Sequence, residues 1–147
     1  MTNLRILYDN AGDRAVLTAS SQAGALGPAN LQREGKDDVL RSIGLGLTIT
    51  ATWPTPEIIG CVALPFCNLM PTATIRVRGY VEPGDSVPDF DTGAVPACEY
   101  ASLGRWNWGA MWLGVNAFSY GGGTYARCWL RMVSIKKLVI ELADPDN

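Results

Sequence analysis

The stretch LTITATW alternates strictly, with Leu47, Ile49, Ala51 and Trp53 on one face and Thr48, Thr50 and Thr52 on the other. A period of two marks a strand with one buried face. TIRVRGYV repeats the pattern, predicting Ile75, Val77, Gly79 and Val81 inward and Thr74, Arg76, Arg78 and Tyr80 outward. KKLVIEL places Leu138, Ile140 and Leu142 inward, with Lys137 and Glu141 outward. NLRILYD, carrying Leu4, Ile6 and Tyr8, and RAVLTAS are shorter strand candidates. EIIGCVAL is apolar throughout, the pattern expected of a strand covered on both faces. One piece is helix-like, PANLQREGKDDVLRS; Leu31 opens a turn after Asn30, and Gly35 argues against a long helix. Many short strands punctuated by Pro and Gly predict an all-β fold, an antiparallel β-sandwich or barrel. The length of 147 residues fits one domain, 1–147, with its own core. YVEPGDSVPDFDTGAVPACEYASLGRW predicts a long irregular loop at about 82–105, and such loops are usually functional or poorly ordered.

The segment GRWNWGAMWLGVNAFSYGGGTYARCWLRM changes the picture, because it holds Trp106, Trp108, Trp112 and Trp129 with Phe118, Tyr120 and Tyr125. Gly121, Gly122 and Gly123 accept positive φ and predict a hairpin turn between two aromatic arms. No Lys-Ser/Thr follows them, so this is not a phosphate loop. On the first arm Met111, Leu113 and Val115 share one parity, opposite Trp108 and Trp112. On the second arm Cys128, Leu130 and Met132 share the core parity, and Tyr125, Arg127, Trp129 and Arg131 the other. An aromatic outer face packs against a neighbour or binds a flat ligand such as a sugar ring. Trp106, Asn107 and Trp108 are the glycan candidates; Trp112, Tyr125 and Trp129 are the subunit-interface candidates. Packing within the domain or an assembly is the favoured expectation.

Composition narrows the chemistry. Hydrophobic residues make up 48% and charged residues 18%, below the usual charged share of about a quarter. Some apolar surface is therefore expected to be covered by another chain. The net charge is −2, with no run of Lys or Arg, so no nucleic-acid partner is expected. Pro65 and Asn68 interrupt the longest apolar stretch, and no membrane insertion is expected. MTNLRILYDN lacks an apolar signal core, which predicts a protein made and kept in the cytoplasm. The chain has no histidine, which removes Ser-His-Asp and Cys-His catalysis and the commonest neutral-pH base. Cys61, Cys67, Cys98 and Cys128 show no Cys-x-x-Cys spacing and read as reduced, buried thiols. No enzyme activity and no cofactor are expected.

Asp91-Thr92-Gly93 matches the triplet of aspartic proteases, which need two carboxylates sharing a proton. Here it sits inside a loop and has no second copy, so catalysis would require a dimer. Asp85, Asp89 and Asp91 are weak calcium candidates, because the spacing is incomplete and lacks a closing Glu. A solvated acidic loop is the plainer expectation.

Ala29-Asn30-Leu31, Arg41-Ser42, Asn68-Leu69 and Arg76-Val77-Arg78 together resemble tailed-bacteriophage virion proteins with a galactose-binding-like jelly roll. The resemblance extends more distantly to discoidin-type and carbohydrate-binding modules. It covers about Leu4 to Tyr80 and returns at YARCWLRMVSIKKLVIELADPDN. Leu40 stands where such proteins often carry an aromatic. The resemblance implies a jelly-roll β-sandwich and a structural role in a phage tail or baseplate, within the virion. It implies packing against other tail proteins and against copies of itself. The alternative it implies is a carbohydrate-binding module that attaches the virion to a host cell-surface glycan.

Overall fold

The computed structural model describes residues 9–33, 35, 37–70, 72–98 and 124–145. Six strands are present among them: β1 (Val16–Ala19), β2 (Gly46–Cys67), β3 (Thr74–Tyr80), β4 (Phe90–Asp91), β5 (Val95–Pro96) and β6 (Thr124–Ala143). All pairings are antiparallel, in the order β1-β2-β6-β3-β4, with β5 also beside β3. The alternating segments behave as their pattern predicts. Ile49, Ala51, Trp53, Ile75, Val77, Leu138 and Ile140 are buried, while the threonines of β2 face outward.

β2 spans 22 residues and β6 spans 20, several times the usual strand length of about 5–6. They pair along their whole length, from Gly46 opposite Ala143 to Cys67 opposite Thr124. The ribbon breaks register three times: between Thr52 and Glu57, between Ile59 and Cys61, and between Leu64 and Cys67. At the first break Trp53-Pro54-Thr55-Pro56 adds residues to β2, since neither proline can donate to the ladder. At the second, Leu130-Arg131-Met132 adds residues to β6. An inserted residue kinks the strand and swaps the faces beyond it. The inward set on β6 therefore runs Ala126, Cys128, Leu130, then Val133 and Ile135, then Leu138 and Ile140. One core cluster takes in the inward residues of both ribbon halves. The kinked ribbon thus lines both walls of an antiparallel β-sandwich.

The ends are tied by polar contacts. Trp53 is buried and its Nε1–H donates to the Ala11 carbonyl at 2.8 Å. Asn10 caps the short 3-10 turn Ala11–Arg14 by accepting from the Gly12 amide. Gln32 donates to the carbonyls of Gly12 and Ala15, both at 2.8 Å.

Several expectations are corrected. Met132 is 83% exposed rather than core, because the bulge before it reverses the strand's phase. Val81 is exposed and Tyr80 buried, since β3 ends at Tyr80, where the Lys137 ammonium covers its ring at 4.5 Å. EIIGCVAL is open on one face, with Ile58 and Ala63 exposed, rather than covered on both. The helix-like piece is reduced to one 3-10 turn, Pro28–Gln32, with Gly27 at its start. Within the loop predicted at about 82–105, β4 and β5 return to β3, and 99–105 lies outside the described residues. Asp89 closes the part before β4: its backbone N–H donates to Gly79, and its carboxylate accepts from Val81 at 2.7 Å. The expected strand at Leu4–Tyr8 lies outside the described residues.

Candidate functional site

The lower half of the ribbon, β2 from Ile58 and β6 up to Ile135, carries the most unusual surface. Its inward positions are filled by Ile59, Val62, Leu64, Ala126, Cys128 and Leu130. Register then fixes what points out. Val62 opposes Cys128 and Leu64 opposes Ala126, so the intervening pairs Cys61–Trp129 and Ala63–Arg127 face away from the core. Directly opposed residues lie about 5 Å apart, and same-face neighbours along a strand lie roughly 7 Å apart. Small residues therefore flank Trp129 on the β2 side, and Trp129 is 38% exposed. Met132 crosses Gly60, the residue opposite the β6 bulge: a β-carbon added there would lie 3.7 Å from Met132 Cγ. Arg131 is exposed beside it.

Phe66 lies at the far end of this half of β2. It occupies the third register break, its φ is +57°, and its side chain is 83% exposed. No other described non-glycine residue has positive φ. The left-handed region costs an L-residue roughly 1–2 kcal/mol, and for a bulky aromatic it is a true outlier. Exposure means that no burial of the ring offsets that cost. Pro65 precedes it, and a proline within an apolar strand signals an edge or a bulge. That was the sequence cue to Phe66.

The outer face of the upper half is different in kind: a closed ion network. Arg76 Nε donates to Asp91 Oδ1 at 2.9 Å, and Arg78 pairs with Glu141. Lys136 donates to Glu82 at 2.8 Å. The Arg76 guanidinium, helped by the Gly93 amide, holds the Asp91 carboxyl well below the ordinary carboxylate range. Among the described residues, two buried side-chain atoms lack a hydrogen-bond partner, Arg78 Nε and Asp144 Oδ1.

The sequence candidates fall as follows. Trp106, Asn107, Trp108 and Trp112 lie outside the described residues, as does the Tyr125 side chain, although the Tyr125 backbone is in β6. Trp129 lies on the outward face expected for it. Asp85, Asp89 and Asp91 are not gathered round one point. Both Asp91 oxygens bind Arg76, and Asp89 is occupied by the Val81 amide. Among the described residues no group of three His, Cys, Asp or Glu side chains is placed to hold a metal ion. The depressed Asp91 carboxyl is the reverse of a carboxylate pair that shares a proton. All four cysteines are thiols.

No protein-family model matches the sequence, and no curated protein matches it. Solved structures match in fold. Chitosan-binding module 1, derived from a chitosanase/glucanase of Paenibacillus sp. IK-5, superposes with a TM-score of 0.57 at 12% identity, over 92% of this chain and 87% of that one. A selenomethionine-labelled variant of the same module gives 0.58 at 11% identity, over 92% and 86%. A putative alpha-L-fucosidase from Bacteroides thetaiotaomicron gives 0.51 at 12% identity, over 86% of this chain but 24% of that longer one. None of these is a virion protein. At such identities the likeness is one of fold: this chain is an antiparallel β-sandwich of the architecture used by carbohydrate-binding modules.

Proposed function

We propose that this protein is a carbohydrate-binding module that holds a glycan on the outer face of the lower β2–β6 ribbon. The observation that carries the reading is the exposed Trp129 indole, set on small residues beside Arg127, in a fold shared with a chitosan-binding module. A pyranose ring presents an apolar C–H face and a polar rim. An indole ledge meets the first, and a guanidinium beside it donates hydrogen bonds to the second. A rigid strand holds both groups in place before binding, which limits the ordering cost of association.

A virion subunit contact, implied by the sequence resemblance, would use the same strip. The likeness in fold favours the glycan. The test is affinity electrophoresis of the wild-type chain and Trp129→Ala through gels containing soluble polysaccharides. The wild type is expected to be retarded by at least one of them. Trp129→Ala should bind about tenfold more weakly, roughly 1.4 kcal/mol, with an unchanged circular dichroism spectrum. Equal retardation of the two proteins, or none with any polysaccharide, would contradict the reading.

A further inference from the structure

We infer that the open edge of β1 is a self-association surface, on which two copies of this chain pair antiparallel about a two-fold axis at Thr18. The inference is independent of the glycan reading and concerns another part of the molecule. Among the described residues β1 ends the sheet on its side, with β2 as its strand partner. Neighbouring contacts fix which way its main-chain groups point. The Ser20 N–H donates to the Thr48 carbonyl at 2.9 Å, and the Thr52 hydroxyl donates to the Val16 carbonyl at 3.3 Å. The main-chain groups of Val16, Thr18 and Ser20 therefore face β2. The Ala15 carbonyl, of the other parity, accepts instead from the Gln32 side chain at 2.8 Å. Antiparallel pairing alternates in this way, so Leu17 and Ala19 aim their N–H and C=O groups away from β2. Among the described residues nothing hydrogen-bonds to these groups.

The open window is symmetric about Thr18, which is what a contact between identical surfaces requires. In an antiparallel self-pair, Leu17 of each copy lies opposite Ala19 of the partner subunit, and each such pair exchanges both hydrogen bonds. Thr18 then meets Thr18 of the partner subunit at the axis as the closer, non-hydrogen-bonded pair, and threonine pairs of this kind stabilise a sheet. Val16, 65% exposed, gains Ser20 of the partner subunit as its neighbour. The ends match as well: Gln32 blocks the edge at Ala15, and β1 stops at Ala19, so the added strand ends where the open edge does. Composition is the second ground. Sheet edges are normally guarded by charged side chains, proline or a bulge. Val16-Leu17-Thr18-Ala19 has no charge and no proline, and it pairs with β2 without a register break. The opposite edge is guarded: β4 has 2 residues, with Pro88 and Asp89 before it and Asp91 at its end, and β5 contains Pro96. A window this short makes the dimer weak and reversible, below the size of a standard stable interface.

The experiment is sedimentation velocity of the whole chain at rising concentration, up to the millimolar range. The wild type is expected to pass from monomer to dimer. Thr18→Lys leaves the β1–β2 ladder in place, because the side chain at 18 is exposed, and it sets two ammonium groups against each other at the axis. It should dimerise about tenfold more weakly than the wild type, with an unchanged circular dichroism spectrum. Thr18→Cys gives the complementary readout. The closer pair of an antiparallel ladder brings opposed β-carbons within reach of a disulfide, so mild oxidation should link two copies through this position. Ser86→Cys, exposed in the loop before β4, is the control and should link far less. A chain that stays monomeric throughout, a dimer as tight in Thr18→Lys as in the wild type, or equal linking of the two cysteine variants would each overturn the inference.

Discussion

Phe66 is the residue at which backbone cost and side-chain exposure coincide. With φ at +57° and the ring in solvent, the wild-type residue contributes little to stability. Asn tolerates the left-handed region. Phe66→Asn is therefore expected to leave the melting temperature unchanged or to raise it, with a gain of up to about 1 kcal/mol. A loss of more than about 1 kcal/mol in chemical denaturation would mean that the ring is packed after all. Gly79 is the opposite case. A β-carbon there would lie 1.9 Å from Phe90 Cε1, because the Phe90 ring lies flat across the glycine from the adjacent strand. Gly79→Ala must push the ring out of the sheet and should cost about 1–3 kcal/mol by overpacking. Combining it with Phe90→Ala should remove that clash, which a double-mutant cycle would read as a favourable coupling.

Ion pairs and bulges act at the scale of elements. Arg76 and Asp91 join β3 to β4, with Glu141 of β6 beside them. The folded-state Asp91 carboxyl is held below its unfolded value, first by the Arg76 hydrogen bonds and then by the Gly93 amide. A lowered carboxylate pKa means that its contribution is fully present above the unfolded value, near about 4, and is lost as pH falls through the folded one. Asp91→Asn should therefore change stability at neutral pH more than in strong acid, and the two proteins should converge as pH falls. A wild-type advantage that persists unchanged into strong acid would contradict this. The carboxylate is exposed, so the effect at neutral pH is modest. How much of an element can be read from sequence follows from the same bulges. Strict alternation in LTITATW was legible because β1 and β6 flank that segment and one face is buried. EIIGCVAL was not, since a continuous apolar run is the same whether its second face is covered or open. Met132 was misplaced for a related reason: a register shift depends on the opposing strand, here on Gly60, and leaves no local period. Trp129 was placed on its correct face because no bulge separates it from Ala126 and Cys128.

At the scale of the molecule, a long kinked ribbon lines one core and presents two unlike outer faces. The upper face is salt-bridged through Arg76, Arg78, Asp91 and Glu141. The lower face carries Trp129 and Met132. The core also protects its thiols. Cys98 and Cys128 are buried, and burial pushes the Cys128 thiol above its ordinary pKa. Both should react with a thiol reagent more slowly in the native protein than Cys61 and Cys67, and all four should be titrated after denaturation without reductant. Fast native labelling of Cys128 would show that the sandwich opens where the core is continuous. The glycan site was only partly legible at this scale. The aromatic content pointed to a platform, but which side chains share a face with Arg127 depends on the pairing of β2 with β6. The most direct measurement of the central claim is amide chemical-shift mapping of the wild-type chain titrated with galacturonate oligomers and, separately, with chitosan oligomers. Saturable shifts in at least one titration, concentrated at Ala63–Cys67 and Arg127–Met132, are the predicted result. Shifts confined to β1 and the Ser20–Leu45 segment, or no saturable shift with either ligand, would contradict it.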